Sequence, residues 1–425
     1  MSSLPVSPTI HWPVDAVEDE LACKVAGEFF ATWMTTPAQI EARTYRGPGL
    51  EVTSLYLRAL FRVREDQYTD GQLLMWFADE QARAQQDGDP EVYKKFMSDY
   101  VQPAVTNCAG SVCKSLGWEG NADLAGIGVY TSYLIEAALT TIFLIVLLAR
   151  HYGRWGGSRP RSSGFSQRLL DAFDGALPDL EVGVFVFSFA VMCASLLSIT
   201  TALDDPASVT TYDVVTGTLV AVFSVCPATQ LYCLDMMDHH HHRDSGDRPG
   251  PKRSKTFTYI LHAAFLALWA LMLAVVNLAR TTNPSTDALH AGSIGEPFEV
   301  YCPVIGDGPL EAVRIFAVAS AGLGVLLVLY LVFRRGNGKR ARDNKSEDSD
   351  THTRAHWPAV VSVLAWVVMW FFLGLFTALR ARIIEVAGES DQSNEWGFGQ
   401  IIALGTWVPV VLTFFHVLFF DTKED

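Results

Sequence analysis

Glu136 is the one carboxylate that the sequence places inside a long apolar run, GIGVYTSYLIEAALTTIFLIVLL over 126–148. A carboxylate at the middle of a membrane span costs roughly 2.5–3.5 kcal/mol on insertion scales, so such a group faces a bundle interior or a cavity. There it can serve as a general acid, a proton carrier or a ligand contact. The structural alternative is a protonated acid hydrogen-bonded to a neighbouring helix. His262 and His416, each in a later apolar run, are the candidate ligand-binding partners of Glu136. A carboxyl and an imidazole make a relay only at matching depth. By residue count Glu136 is near mid-depth and both histidines are nearer one end. A lone histidine on a span is more often an interhelical hydrogen-bonder.

The run Asp235-Met-Met-Asp238-His239-His240-His241-His242 is the other cluster of chemistry-bearing side chains. Two acids three apart share a helix face, and imidazoles follow. Asp235, Asp238, His239 and His240 are thus candidate ligands for a divalent metal, or through Mg²⁺ for a diphosphate. No second acid-rich motif accompanies them, and the surrounding segment is basic and rich in Pro and Gly. A solvated His-rich loop is the favoured reading. No Walker A, HExxH or GxSxG motif occurs, and no cofactor is implied. Pro227 and Pro409 fall inside apolar runs, where each removes a backbone hydrogen bond and can kink a helix.

Of the seven cysteines, Cys193, Cys226 and Cys233 lie in apolar runs as packing residues. Cys23, Cys108, Cys113 and Cys302 lie outside them. On an oxidising side these four allow two bridges in three connectivities. Cys108 with Cys113 is the simplest pair.

The elements that must position these residues are membrane helices. Half of the 425 residues are hydrophobic and only 18% are charged, with the charges gathered between long apolar runs. That is the pattern of a polytopic membrane protein. Seven runs reach the length of a span: 126–148, 182–203, 214–234, 257–279, 313–333, 358–379 and 398–420. The third is the most diluted, by Thr216, Thr218, Thr229 and Gln230. The expected fold class is all-α: seven transmembrane helices after a small helical extramembrane domain. The expected division is a tail at 1–13, an N-terminal helical domain at 14–124, the seven-helix domain at 125–420 and a tail at 421–425. In the N-terminal region Leu21, Val25, Phe29 and Trp33 form one stripe, Leu50, Leu57, Leu60 and Phe61 a second face, and two further short helices follow, at about 70–86 and 89–101. The first residues carry neither a basic nor an apolar signal segment, so targeting is expected from the first span.

Loop charge gives an orientation. The segments after the first, third and fifth runs carry five, five and seven Lys or Arg, while those after the second, fourth and sixth carry only Arg280, Arg380 and Arg382. The positive-inside rule makes the first set cytosolic, with an extracellular or lumenal N-terminus and a cytosolic C-terminus. The sequon Asn344-Lys345-Ser346 then faces the cytosol and stays unglycosylated. The net charge of −14 comes partly from residues 1–125, and nothing in its distribution resembles a nucleic-acid footprint.

At NADLAGIGVYTSYLIEA, preceded by Cys108 and Cys113, the chain resembles a group of uncharacterised multi-pass membrane proteins of filamentous fungi. Trp396-Gly397-Phe398-Gly399-Gln400-Ile401-Ile402-Ala403-Leu404, with Trp407 and Pro409, resembles their last span. The resemblance implies the family architecture and carries no catalytic residue.

Seven spans with this orientation are the topology of receptors. The leading reading is a receptor-like or sensor-like protein of the plasma membrane that binds a small-molecule ligand or a cytosolic signalling partner, with the bilayer as its other partner and no nucleic acid. The alternatives are a membrane-embedded enzyme or accessory factor of lipid or terpenoid-type secondary metabolism, with Glu136 as its acid, and a transporter or channel subunit.

Overall fold

An apolar segment in lipid has no water for its N–H and C=O groups, so it must bond them within itself as a helix. The computed structural model follows that demand. It describes residues 20–33, 49–61, 68–86, 107–117, 121–155, 164–204, 211–245, 270, 302, 315, 350–388 and 396–420, and among these there is no strand. In chain order the helices are α1 Glu20–Trp33, α2 Leu50–Phe61, α3 Asp70–Gln86, α4 Ala109–Leu116, α5 Ala122–Ala125, α6 Ile127–Trp155, α7 Gly164–Asp204, α8 Thr211–Ser245, α9 Asp350–Ala387, α10 Phe398–Gly405 and α11 Val408–Phe420.

Among the described residues, five stretches are long and apolar enough to cross a membrane: Ala122–Ala149, Arg168–Thr201, Val215–Leu234, Pro358–Ala387 and Phe398–Phe420. They coincide with five of the seven expected runs. The runs at 257–279 and 313–333 lie outside the described residues, as does the expected N-terminal helix at 89–101. The most diluted run turns out to be the central one. Val215–Leu234 is 89% buried, against 11% for Phe398–Phe420. A helix that scarcely meets lipid has no need of an apolar circumference, and Thr216, Thr218, Ser224 and Gln230 are all buried on it.

Helix and apolar run do not coincide everywhere. α7 begins well before residue 182. Its added turns are amphipathic, with Leu169, Phe173, Ala176, Leu177 and Leu180 turned to the core. Phe173 meets Phe143 of α6 and Phe414 of α11 edge-on, and Thr413 of α11 donates to Asp179 at 2.6 Å. The last stretch is broken. α10 ends at Gly405, Thr406 and Trp407 form a turn, and α11 begins at Val408. Pro409 has no N–H for the Gly405 carbonyl, and it sits in the first turn of α11, where none is needed. Pro227, by contrast, stays inside a continuous α8.

The N-terminal helices have a core of their own: Ala26, Phe29 and Phe30 of α1, Tyr56, Leu57 and Leu60 of α2, Leu73 and Phe77 of α3, then Cys108 and Val112. Phe29 and Tyr56 stack at 4.1 Å between ring centroids. Leu21 and Leu50, expected on the buried faces, are exposed, because the core side of each helix is set by its aromatic residues. Gly27 lets α4 lie directly on α1, since a Cβ there would meet the Ser111 carbonyl at 2.7 Å.

The expected Cys108–Cys113 bridge is not formed. The bridges are Cys23–Cys108 and Cys113–Cys302. Cys108 caps α4 and Cys113 lies within it. Five residues of helix separate their Cα atoms by about 7.5 Å of rise and turn them about 140° apart, too far for one disulfide. Cys193, Cys226 and Cys233 are free, as expected.

α4 therefore joins both cores. Val112 packs in the N-terminal core and Cys113 in the bundle core. Its Lys114 side chain covers Gly388, which ends α9 in the left-handed conformation (φ 69°) that glycine adopts without strain.

Candidate functional site

Glu136 occupies the middle of Ala122–Ala149 and is fully buried. Its position on α6 turns it toward α7 and α8. Its Oε1 lies 3.3 Å from Ser188 Oγ of α7, and that hydroxyl is also 3.0 Å from the Ser224 carbonyl oxygen of α8. One turn further along α6, Thr140 donates to the Glu136 carbonyl at 2.7 Å, and the Thr140 carbonyl accepts from Gln230 Nε2 at 2.7 Å. Ser362 of α9 closes the group by donating to the Gln230 carbonyl at 3.3 Å. Four spans thus meet through polar groups at mid-bundle.

Two acceptors of the group are unsatisfied among the described residues, Glu136 Oε2 and Gln230 Oε1. Orphaned buried oxygens in a native interior call for an explanation. Pro227 also lacks the N–H that would bond the Phe223 carbonyl one turn earlier.

An aromatic layer lies on one side of the site. Tyr133, one turn before Glu136, is fully buried among Phe187, Phe223 and Phe376, with ring centroids at 5.4, 5.4 and 5.7 Å. Its hydroxyl donates to the Leu124 carbonyl at 3.3 Å. Phe187 in turn meets Trp407 edge-on at 5.5 Å. On the other side Trp366 and Trp370 of α9 both donate to Thr141 Oγ1, at 2.9 and 3.0 Å. The site is buried, and apart from the Gln230 amide its polar groups are oxygens: one carboxyl, hydroxyls and backbone carbonyls. Such a set suits a proton or a hydrogen-bond donor. Among the described residues no group of three or more His, Cys, Asp or Glu is placed to hold a metal.

The other candidate residues do not converge here. His416 lies on the exposed side of α11, with its ring against Phe420 at 5.9 Å, so it makes no relay with buried Glu136. His262 lies outside the described residues. Asp235, Asp238, His239 and His240 continue helix α8 to Ser245 instead of forming a loop.

A second constellation escaped the sequence reading. The first span is interrupted at Gly126, whose backbone is extended (φ −60°, ψ 151°) between α5 and α6. Residues from three other helices catch the broken ladder. Gln400 Oε1 of α10 accepts from the Gly128 N–H at 2.8 Å. Arg380 of α9 donates to the Ala125 carbonyl at 3.0 Å and lies 5.1 Å from the Tyr130 ring. Asp213 of α8 accepts from the Asn121 N–H at 3.1 Å. Gly128 lets the backbones close, because a Cβ there would stand 2.5 Å from Gln400 Cβ. The start of the first span and the start of the last thus touch each other. Gln400 was legible only as a polar residue inside an apolar run, and Ser188 and Ser224 likewise.

Comparison with protein-family models, with curated proteins and with solved structures finds no match for this chain.

Proposed function

We propose that the chain is a receptor-like membrane protein: an N-terminal helical unit on the extracellular or lumenal side binds a small ligand or a partner, and the bundle carries its occupancy to the cytosolic side. The observation that supports this reading most is the shared helix α4. It packs in both cores at once, and it is bridged to Cys23 from its N-cap, Cys108, and to Cys302 from Cys113 within it. A ligand that shifts the N-terminal unit must move α4, and α4 rests on the end of α9 at Gly388.

The orientation has two supports. The cytosolic assignment gathers seventeen basic loop residues against three. The paired cysteines all fall on the opposite side, and disulfides persist in oxidising compartments.

The test is hydrogen exchange on the full-length protein in nanodiscs, screened with a panel of small molecules and secreted peptides. A binder is expected to protect α1–α4 and, in the same sample, to alter exchange in the basic segments after α6 and α8. If no compound binds and scrambling those basic segments leaves the cells unchanged, the reading is wrong.

A further inference from the structure

We propose that Glu136 is a proton-binding site, in which the bound proton joins three spans in one chain of hydrogen bonds: Glu136 Oε1–H to Ser188 Oγ–H to the Ser224 carbonyl. The warrant is a count of hydrogens. Ser188 Oγ faces two acceptors, Glu136 Oε1 at 3.3 Å and Ser224 O at 3.0 Å. A hydroxyl has one hydrogen to donate and lone pairs with which to accept. With Glu136 ionised, two acceptors compete for that single hydrogen, and among the described residues Oε2 is unpaired as well. A fully buried carboxylate is then left with at most one hydrogen bond, and burying such a charge is far costlier than burying a neutral polar group. With the proton on Oε1, Ser188 accepts from Glu136 and donates to Ser224 across the shorter of its two distances. Every hydrogen then has an acceptor, and Oε2 is an uncharged carbonyl oxygen.

The surroundings point the same way. Among the described residues, the titratable side chains close to Glu136 are Tyr133 on its own helix and Cys226 on α8. Neither is a cation. α7 contributes Ser188, and α9 contributes Met369, whose sulfur is 3.6 Å from Thr140 Oγ1. No Lys or Arg lies within the apolar runs 126–148, 182–203, 214–234, 358–379 and 398–420. The Ser224 carbonyl also belongs to the turn of α8 that Pro227 deprives of a ladder bond. The proton chain supplies lateral support where axial support is missing. Its release to solvent leaves two acceptors to one donor and loosens the seam of α6 with α7 and α8. The inference does not rest on the receptor reading, since an acid buried in this way would hold the same proton in a bundle of any activity.

Infrared spectroscopy of the full-length protein in nanodiscs at neutral pH tests it. Wild type is expected to show the C=O stretch of a protonated carboxyl, lost in Glu136→Gln and shifted in Ser188→Ala. Gln donates the same hydrogen to Ser188, so Glu136→Gln keeps the wild-type melting temperature, whereas Glu136→Ala lowers it. Absence of the carboxylic band from wild type overturns the proposal. So does a wild-type melting temperature that rises with Na⁺ and ceases to do so in Glu136→Gln, which would make the site one for a metal cation. Should Glu136→Gln not fold, the band in wild type and its shift in Ser188→Ala still decide.

Discussion

At the scale of the residue, the most exacting fit is that of Gln400 with Gly126 and Gly128. Gly126 opens the helix, so the Gly128 N–H loses its helical context, and Gln400 Oε1 accepts it at a fully buried position. Gln400→Ala leaves that N–H without its acceptor, at a cost of about 1–3 kcal/mol. Gly128→Ala is expected to cost about 1–3 kcal/mol by overpacking. The two do not rescue one another. The atom that a Gly128 Cβ would strike is Gln400 Cβ, at 2.5 Å, and an alanine keeps that atom. Thermal melts of the two variants and of the double variant in nanodiscs check this. A double variant as stable as Gln400→Ala alone would show that the glycine is not placed there for close approach.

At the scale of the element, helix α4 carries the connection between the N-terminal unit and the bundle. A peptide map of the non-reduced protein is expected to yield Cys23 linked to Cys108 and Cys113 linked to Cys302, with no peptide pairing Cys108 and Cys113. Cys302→Ser opens a bridge across 189 residues of sequence and is expected to cost about 2–4 kcal/mol. Local pattern shows why this was hidden. Cys108 and Cys113 are close in sequence, and only the knowledge that they share a helix sets their side chains apart. The apolar runs were legible because each span answers to lipid one helix at a time. Glu136 was legible for the same reason, as an acid where lipid tolerates none. Ser188, Ser224 and Gln400 were not, since a hydroxyl or amide in an apolar run acquires its partner only from another helix. The break at Thr406–Trp407 was half legible. Pro409 announced a lost hydrogen bond, but not that Trp407 would turn inward against Phe187 and cover Gly183. Trimming that indole, Trp407→Ala, is expected to cost about 3–5 kcal/mol as a core cavity, measured by the same melts.

At the scale of the whole molecule, sidedness decides which of these parts a ligand can reach. Under the proposed orientation the N-terminal unit, both disulfides and the Gln400–Arg380 collar share the extracellular or lumenal side. The His-rich end of α8 shares the cytosol with the basic segments. An inverted chain would place both disulfides among cytosolic thiol reductants, where such bonds do not persist, and seventeen basic loop residues on the side the positive-inside rule disfavours. Two chemical arguments therefore support the proposed orientation. Sequons engineered next to Asn107 and within 280–310 are expected to be glycosylated, and the native Asn344-Lys345-Ser346 is expected to remain bare. Asn107 is exposed immediately before α4, so a glycan there has room. A glycan on Asn344, or none at the engineered sites in a folded protein, would reverse the assignment. The N-terminal unit would then face the cytosol, and a secreted ligand could no longer reach it.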